Sequence, residues 1–255
     1  MQKFLSFLLL YTLLFSCTPQ QNKEQENAEL NPAAEGFNIE QSDPAAIELA
    51  DSVMQAMGGR KAWDNIQYLS WTFFGKRKLT WDKHQARVRI ESFADSAIYI
   101  LDMKSMTGKV SIKNTEITEA DSLNKLLQKA KSIWINDSYW LVMPFKLKDT
   151  GVTLKYMGED SVKTVGKCNI LEMTFKQVGD TPQNKYWVYV DKKDNLVKQW
   201  AYFEDASQEL PSAVWPFDNY VSIAGVKFSS NRSDGKGPSD LAIFQSLPEH
   251  VFTEF

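Results

Sequence analysis

Side chains that can act as catalytic acids, bases or nucleophiles are scattered along this chain rather than grouped. The two histidines, His84 and His250, stand alone among polar neighbours, and no His or Cys pair has zinc-site spacing. Neither a Gly-x-Ser-x-Gly elbow nor a phosphate-binding glycine loop occurs. The adjacent carboxylates Glu159 and Asp160 lie in a predicted turn, where solvation is expected rather than glycosidase chemistry. The sequence therefore predicts no catalytic residue, no metal and no cofactor, although distant carboxylates can still meet in a fold.

Cys17 is the side chain with the clearest predicted chemistry. Residues 1–3 give the chain a positively charged start, residues 4–15 are an almost unbroken apolar run, and the small Ser16 precedes Cys17. This order is typical of a secretory signal peptide. The apolar run has 12 residues, about 18 Å as a helix, which is too short for the roughly 30 Å core of a bilayer. An ordinary signal peptide followed by an incidental cysteine is the alternative.

Residues 14–17 resemble the lipobox of bacterial lipoproteins, in which the cysteine is acylated and becomes the first residue of the mature chain. The resemblance implies that residues 1–16 are a lipoprotein signal peptide and that acylated Cys17 attaches the protein to a membrane. Two or more acyl chains make such an anchor stable. No acidic residue directly follows the cysteine, and the first is Glu24. We therefore expect an outer-membrane lipoprotein on the periplasmic face, with the cell surface as the alternative.

Charge and cysteine content exclude some classes of protein. The chain has 29 Lys and Arg against 32 Asp and Glu, a net charge of −3, and no basic cluster, so no nucleic-acid partner is expected. Acylation of Cys17 leaves Cys168 as the remaining cysteine, so the mature chain has no internal disulfide. Cys168 lies in a predicted strand without a nearby histidine, and we expect a small buried side chain rather than a nucleophile.

Composition divides the chain after the signal peptide into a tether and one folded domain. Residues 18–43 are rich in Pro, Gln, Asn and Glu and contain few large apolar side chains, which is typical of disorder. We therefore expect acylated Cys17 and a disordered tether over residues 17–43. Residues 44–255 contain no evident linker or repeat and are long enough for one sizeable core.

Hydrophobic periodicity predicts a few helices and many strands. Helices are predicted over residues 44–57 and 118–130, and Asn136 or Asp137 caps a further helix that ends near Pro144. The remaining segments give about eleven strands without βαβ alternation, and several alternate apolar and polar residues. An α+β domain follows, with a strongly curved antiparallel sheet partly covered by helices.

This order of elements resembles the lipoprotein-carrier fold of LolA and LolB, and more closely an uncharacterised family of bacterial lipoproteins related to it. Residues 136–147, 186–191 and 222–228 carry the resemblance, which covers most of residues 44–255. It implies an unclosed β-barrel of about eleven strands whose concave apolar face is covered by helices. It also implies an apolar cavity but no reaction. The anchor at Cys17 favours a membrane-bound protein over a free periplasmic shuttle.

Aromatic and flexible side chains concentrate around the predicted central helices and on the strands. They predict contacts for an acyl chain or another apolar ligand, because ligand pockets are mostly apolar. The predicted cavity residues are Trp71, Phe73, Trp134, Tyr139, Trp140, Met143, Phe145 and Val188. The alternative is that these side chains fill the space between helices and sheet.

Three functions are compatible with these patterns. The first is an anchored envelope lipoprotein that binds a lipid, a lipoprotein acyl chain or another apolar ligand. The second is a non-enzymatic structural or interaction lipoprotein with a filled core and an envelope protein as its partner. The third is a glycan-binding or glycan-acting envelope protein, which requires several coplanar tryptophans at the surface or close carboxylates in a cleft.

Overall fold

The computed structural model describes residues 30–255, so the predicted signal peptide, Cys17 and the first part of the predicted tether lie outside the described residues. The α-helices are α1 (Pro44–Ala56), α2 (Arg60–Asn65) and α3 (Ala120–Val142), and 3-10 helices cover Ile39–Gln41, Met143–Lys146 and Glu249–Phe252. The strands are β1 (Tyr68–Phe73), β2 (Arg77–Asp82), β3 (Arg87–Ser92), β4 (Ala97–Asp102), β5 (Thr107–Ile112), β6 (Thr115–Glu116), β7 (Val152–Val162), β8 (Gly166–Phe175), β9 (Lys185–Asp191), β10 (Val197–Phe203), β11 (Ala213–Pro216), β12 (Asp218–Ile223), β13 (Val226–Asn231) and β14 (Pro238–Phe244).

The first sheet has the strand order β14-β1-β2-β3-β4-β5-β6, with every neighbouring pair antiparallel. Successive strands from β1 to β6 pair with each other, whereas β14 returns from far along the chain to pair with β1. In β3, Val88 and Ile90 are fully buried, and the alternate Arg87 and Arg89 are partly exposed. This alternation arises because successive side chains of a strand point to opposite faces of the sheet.

The second sheet has the order β11-β10-β9-β8-β7, and β12 and β13 form a separate antiparallel hairpin. The sheets are curved and unclosed, so the α+β class with large curved antiparallel sheets is confirmed. The described residues contain 14 strands rather than about eleven. The additional strands are β2, the two-residue β6 and the four-residue β11.

Helix α3 packs on β3, β4 and β5 and runs unbroken through the position where the sequence predicts a second helix. Its N-cap is Glu119, whose carboxylate accepts hydrogen bonds from the backbone N–H groups of Asp121 and Ser122. Asp137 is fully buried, and its carboxylate accepts two hydrogen bonds from the Arg77 guanidinium at 2.7 and 2.8 Å. The predicted cap at Asn136 or Asp137 is therefore wrong, because Asp137 pairs with β2 instead.

The last turn of α3 is completed by a residue from the end of β13. Pro144 has no N–H, so the Trp140 carbonyl lacks the donor it would find four residues on in a continuing helix. The buried Arg232 guanidinium donates to this carbonyl, and to Ser229 Oγ at 2.7 Å. Its Cζ lies 3.6 Å from the centroid of the Phe217 ring. Burial lowers the pKa of Arg232 to about 9.

Residues 31–43 are packed against the domain, which corrects, for these residues only, the disordered tether expected over residues 17–43. Asn31 and Phe37 are buried, and Asn31 Nδ2 donates to Asp51 Oδ1 of α1 at 2.6 Å. Composition favoured disorder because large apolar residues are sparse here. The segment is instead held largely by polar groups, which hydrophobic patterning does not detect.

The same segment covers one edge of the second sheet. The backbone N–H groups of Asn38 and Asp43 donate to the carbonyls of Val152 and Leu154 in β7 at 3.0 and 2.9 Å. In return, the N–H of Leu154 donates to Ser42 Oγ at 3.0 Å. Half of an otherwise open strand edge is thereby satisfied, which blocks its pairing with another chain.

Buried apolar side chains from both sheets, α1 and α3 form one large cluster, and a smaller cluster lies around Cys168. Cys168 is fully buried, and burial raises the pKa of its thiol, so the expectation of a buried side chain is confirmed. Within residues 30–255, no helix has the length and apolarity required to cross a membrane.

Candidate functional site

The predicted cavity residues lie together, but in a packed aromatic interior. Trp140 from α3 lies with its ring centroid 4.8 Å from that of Trp200 and 4.7 Å from that of Trp215. Phe73 contacts the same ring at 6.5 Å. These edge-to-face contacts are typical of aromatic cores. The concave face is therefore filled by side chains at this position.

The other predicted cavity residues are also enclosed. Trp71, Met143 and Val188 are fully buried. Tyr139 packs between the rings of Tyr186 and Trp200, at centroid distances of 5.7 and 6.0 Å, and burial raises the pKa of its phenol. As ligand contacts, these positions stay a prediction.

A cavity of about 230 Å³ lies at the margin of this interior, beneath the 3-10 helix Met143–Lys146. We call it the Trp63–Phe145 pocket. Its lining comes from the segment before α1, from α1 and α2, from the end of β2, and from the chain that follows α3. The lining residues are Asn31, Ala34, Ala50, Met54, Arg60, Trp63, Asp64, Trp81, Lys83, Val142, Pro144, Phe145, Lys146, Leu147, Lys148 and Asp149.

Two stacked aromatic rings form the apolar wall of the Trp63–Phe145 pocket. The Trp63 and Phe145 centroids are 4.3 Å apart and the ring planes differ by 9°. Gly58 and Gly59, with φ of +116° and +87°, turn the chain between α1 and α2 and so place Trp63 opposite Phe145. Trp81 lies 6.4 Å from Trp63, and its enclosed indole N–H has no hydrogen-bond partner among the described residues.

Ion pairs surround this wall. Arg60 Nε lies 2.8 Å from the Asp64 carboxylate, and Lys146 pairs with Asp149. The deepest pair is formed by Lys148 and Asp51. Lys148 Nζ lies 2.6 Å from Asp51 Oδ1, both side chains are buried, and burial raises the pKa of Asp51 against the opposing effect of Lys148.

Lys83 is the remaining cation of the pocket. Its ammonium donates to the backbone carbonyls of Trp63 at 2.8 Å and Asp64 at 3.4 Å, and lies 4.4 Å from the centroid of the Trp63 ring. Burial lowers the pKa of Lys83 to about 8, with the charge of Asp64 acting in the opposite direction. Lys83 is thus a half-buried cation held by neutral groups.

The other side chains considered for chemistry lie at the surface. His84 is exposed, with Nε2 2.8 Å from the Asp64 carbonyl, and His250 is exposed in the last 3-10 helix. Glu159 and Asp160 lie in β7 rather than in the predicted turn, and Glu159 pairs with Lys192. No group of three or more His, Cys, Asp or Glu able to hold a metal ion occurs within residues 30–255.

The tryptophans do not form the exposed platform that glycan binding requires. The chain has eight tryptophans, all of them lie within the described residues, and each is buried or partly buried. A second cavity, of about 320 Å³, lies between the outer face of the first sheet and the C-terminal residues, with Ser70, Thr80 and Arg89 in its lining.

Of these residues of the Trp63–Phe145 pocket, the sequence analysis named Phe145 as a cavity residue but did not name Trp63, Trp81 or Lys83. Trp63 lies in a short helical turn and Trp81 in an unpredicted strand, so neither carried a periodic signal. The four positions are separated by up to 82 residues, and only the fold brings them together.

No protein-family model matches this chain, and no curated protein matches it. A DUF1329 family protein from Desulfovibrio piger has a similar structure, with 17% identity and a TM-score of 0.44 over 84% of this chain and 98% of that one. A domain described as an outer membrane lipoprotein-sorting protein, from Vibrio parahaemolyticus, has 9% identity and a TM-score of 0.37 over 80% and 97%. A LolA superfamily protein from Nitrosomonas europaea has 10% identity and a TM-score of 0.38 over 80% and 97%.

A LolA superfamily protein and a lipoprotein-sorting domain are thus among the solved structures to which this chain is similar. The likeness is distant. The fold assignment rests on the helices and strands of this chain.

Proposed function

We propose that this protein is a lipoprotein of the cell envelope, anchored through acylated Cys17 to the periplasmic face of the outer membrane, that binds a lipid, an acyl chain or another apolar ligand. The observation that supports the binding activity is the Trp63–Phe145 pocket. It combines a stacked aromatic wall, which suits an apolar group, with charged side chains around that wall.

The size of the pocket favours binding one part of a ligand. Its volume is about 230 Å³, below the roughly 300–1,000 Å³ of sites that enclose a drug-sized molecule. A short apolar group, or the part of an acyl chain next to its headgroup, fits such a space, while the rest of a lipid stays outside.

Deeper binding in the predicted half-barrel cavity would require aromatic side chains to move. Phe145 belongs both to the pocket and to the predicted cavity residues. From there, the Trp81 and Trp134 rings, 5.3 Å apart, lead towards α3. An acyl chain that entered further would separate Trp140 from Trp200. The eight predicted positions are thus the proposed path of a longer ligand.

The test uses N-phenyl-1-naphthylamine, an uncharged apolar fluorophore, with the chain from residue 17 on carrying Cys17→Ser. Ala34→Trp places a large side chain in the pocket while keeping the Ala34 backbone bond to the Lys148 carbonyl. Ala33→Trp is the matched control, because Ala33 is exposed and does not line the pocket.

We expect saturable fluorescence enhancement that Ala34→Trp weakens at least tenfold and Ala33→Trp leaves unchanged. Absence of saturable binding, or equal binding by both variants, would contradict a role for the pocket. Thermal unfolding of each variant checks that the fold is intact.

A structural or interaction lipoprotein is the second candidate, favoured by the ring-on-ring packing of Trp140, Trp200 and Trp215. If the interior is filled, a partner protein binds at the surface. In-cell crosslinking that reproducibly captures one envelope protein, together with no probe binding, would favour this candidate over the first.

A further inference from the structure

The charges of the Trp63–Phe145 pocket are balanced in pairs except at one position. Three of its four cations form an ion pair with a neighbouring aspartate. These pairs are Arg60–Asp64, Lys146–Asp149 and Lys148–Asp51. Lys83 is the fourth cation, and it forms no ion pair within residues 30–255.

The partners of Lys83 do not neutralise its charge. Two backbone carbonyls and the Trp63 ring lie around the ammonium. These groups orient the positive charge and stabilise it partly, but they carry no net charge. Burial lowers the pKa of Lys83 to about 8, which is the expected effect of desolvation without a strong counter-charge. An anion beside Lys83 would supply that counter-charge.

One N–H donor of Lys83 is available for such an anion. The ammonium of a lysine has three N–H groups, and two of those of Lys83 are directed at carbonyls. An oxyanion matches this donor and the positive charge of Lys83, and the Trp63 and Phe145 rings match an apolar group attached to it.

The first residues that the structure describes lie beside the Trp63–Phe145 pocket. Asn31 and Ala34 line it, and Arg60 donates to the Pro32 carbonyl at 3.2 Å. The chain between Cys17 and Leu30 spans at most about 45 Å, since each residue adds about 3.5 Å. An acyl anchor at Cys17 therefore keeps the pocket near a membrane. Leu30, which precedes the lining residue Asn31, exposes 51% of its surface and can contact lipid.

We infer that the Trp63–Phe145 pocket binds the anionic headgroup of a membrane phospholipid, with Lys83 as the residue that contacts the phosphate. This inference deepens the proposed function and rests on it for the anchor at Cys17. General electrostatic attraction does not produce such binding, because the net charge of the chain is −3. A local site is required.

The test measures sedimentation of the chain from residue 17 on, carrying Cys17→Ser, with two kinds of vesicle. One is phosphatidylcholine alone, and the other contains about one third phosphatidylglycerol. We expect at least tenfold tighter binding to the anionic vesicles, and loss of this preference in Lys83→Gln. Lys104→Gln is the matched control, because it removes the same charge from an exposed turn between β4 and β5 and should keep the preference.

Ala34→Trp provides a second variant that fills the pocket without changing the charge. We expect it to abolish the preference, and Ala33→Trp to keep it. No preference for anionic vesicles, or equal losses in Lys83→Gln and Lys104→Gln, would overturn the inference. Full displacement from the vesicles by millimolar glycerol 1-phosphate would overturn the membrane as the source and indicate a free phosphate ester.

The uncharged fluorophore separates this inference from the proposed function. Lys83→Gln should retain fluorophore binding while losing the preference for anionic lipid. If the fluorophore fails to bind but the lipid preference depends on Lys83, the apolar-ligand function fails and the headgroup site stands. If the fluorophore binds but the lipid preference does not depend on Lys83, only the headgroup site is overturned.

Discussion

Lys83 and Asp137 are charged side chains withdrawn from solvent, and the structure compensates them differently. Asp137 is fully enclosed and receives two hydrogen bonds from one guanidinium. Lys83 is half-buried and contacts neutral groups. A buried charge is tolerated when paired and is unfavourable when unpaired. The two residues should therefore respond differently to substitution.

Lys83 is expected to make stability depend on pH above neutrality. Its pKa is about 8 in the folded chain, against a usual value of 10.5. Between these values the unfolded chain holds more protons, so the free energy of unfolding rises with pH. Relative to Lys83→Met, the original chain should gain stability from pH 8 to about 10.5. Urea denaturation of both proteins at pH 7, 9 and 10 measures this difference. A difference that stays constant across this pH range would contradict it.

Replacing Arg77 and replacing Asp137 should lower the free energy of unfolding by different amounts. Arg77→Met leaves a fully enclosed carboxylate without its cation and should lower the free energy of unfolding by about 3–5 kcal/mol. Asp137→Asn leaves a cation whose side chain is 22% exposed, so the loss should be smaller, about 1–2 kcal/mol. Chemical denaturation of both variants and of the double variant tests this order. Equal losses would show that solvent does not reach Arg77.

The sequence indicated which kind of side chain faces an apolar ligand, but it did not indicate where the pocket lies. Phe145 was predicted to contact an apolar ligand, and it lines the pocket. Lys83 could not be identified, because its position beside Trp63 depends on a turn between helices and on the end of β2. Proximity of that kind leaves no pattern in the local sequence.

The segment of residues 31–43, which precedes α1, has a role that the sequence did not predict. It acts as the outer partner of β7, although it forms no strand itself. Ser42 Oγ donates to the Asn38 carbonyl at 2.8 Å and accepts from the Leu154 N–H at 3.0 Å. One hydroxyl thus connects the segment to the sheet edge.

Ser42→Ala should lower the free energy of unfolding by about 1–3 kcal/mol, because it leaves the buried Leu154 N–H without an acceptor. Ser52→Ala is the control, since Ser52 Oγ donates to the Glu48 carbonyl within α1 and alanine favours a helix. Hydrogen exchange should accelerate at Leu154 in the first variant only. Unchanged exchange there would mean that the segment does not protect β7.

Helices and strands with strong hydrophobic periodicity could be predicted from the sequence. Elements whose extent depends on contacts with distant residues could not. The α1 helix and the strands with alternating residues follow from short-range patterns. The length of α3 does not, because Asp137 resembles a helix cap until its pairing with Arg77 is known. The order of residues 31–43 depends on a free strand edge more than 100 residues away.

For the whole molecule, the proposed anchor at Cys17 determines where any binding takes place. Cys17→Ser should move the protein from the membrane fraction into the soluble fraction, because the lost acyl chains supply the membrane affinity. Fractionation with metabolic labelling by a radioactive fatty acid measures this directly. Membrane association that persists without label incorporation would contradict an acyl anchor at this residue.

The pairing of β14 with β1 has a consequence for how the chain reaches its folded state. The two strands lie roughly 170 residues apart in sequence, and β1 is flanked by β2 on its other side. Sheets built from such distant contacts form slowly, because loop closure precedes the stabilising contacts. The first sheet cannot be completed until nearly all of the chain has emerged. A chain that folds late stays threadable, which is compatible with passage through a narrow translocation channel, the route that the proposed signal peptide requires.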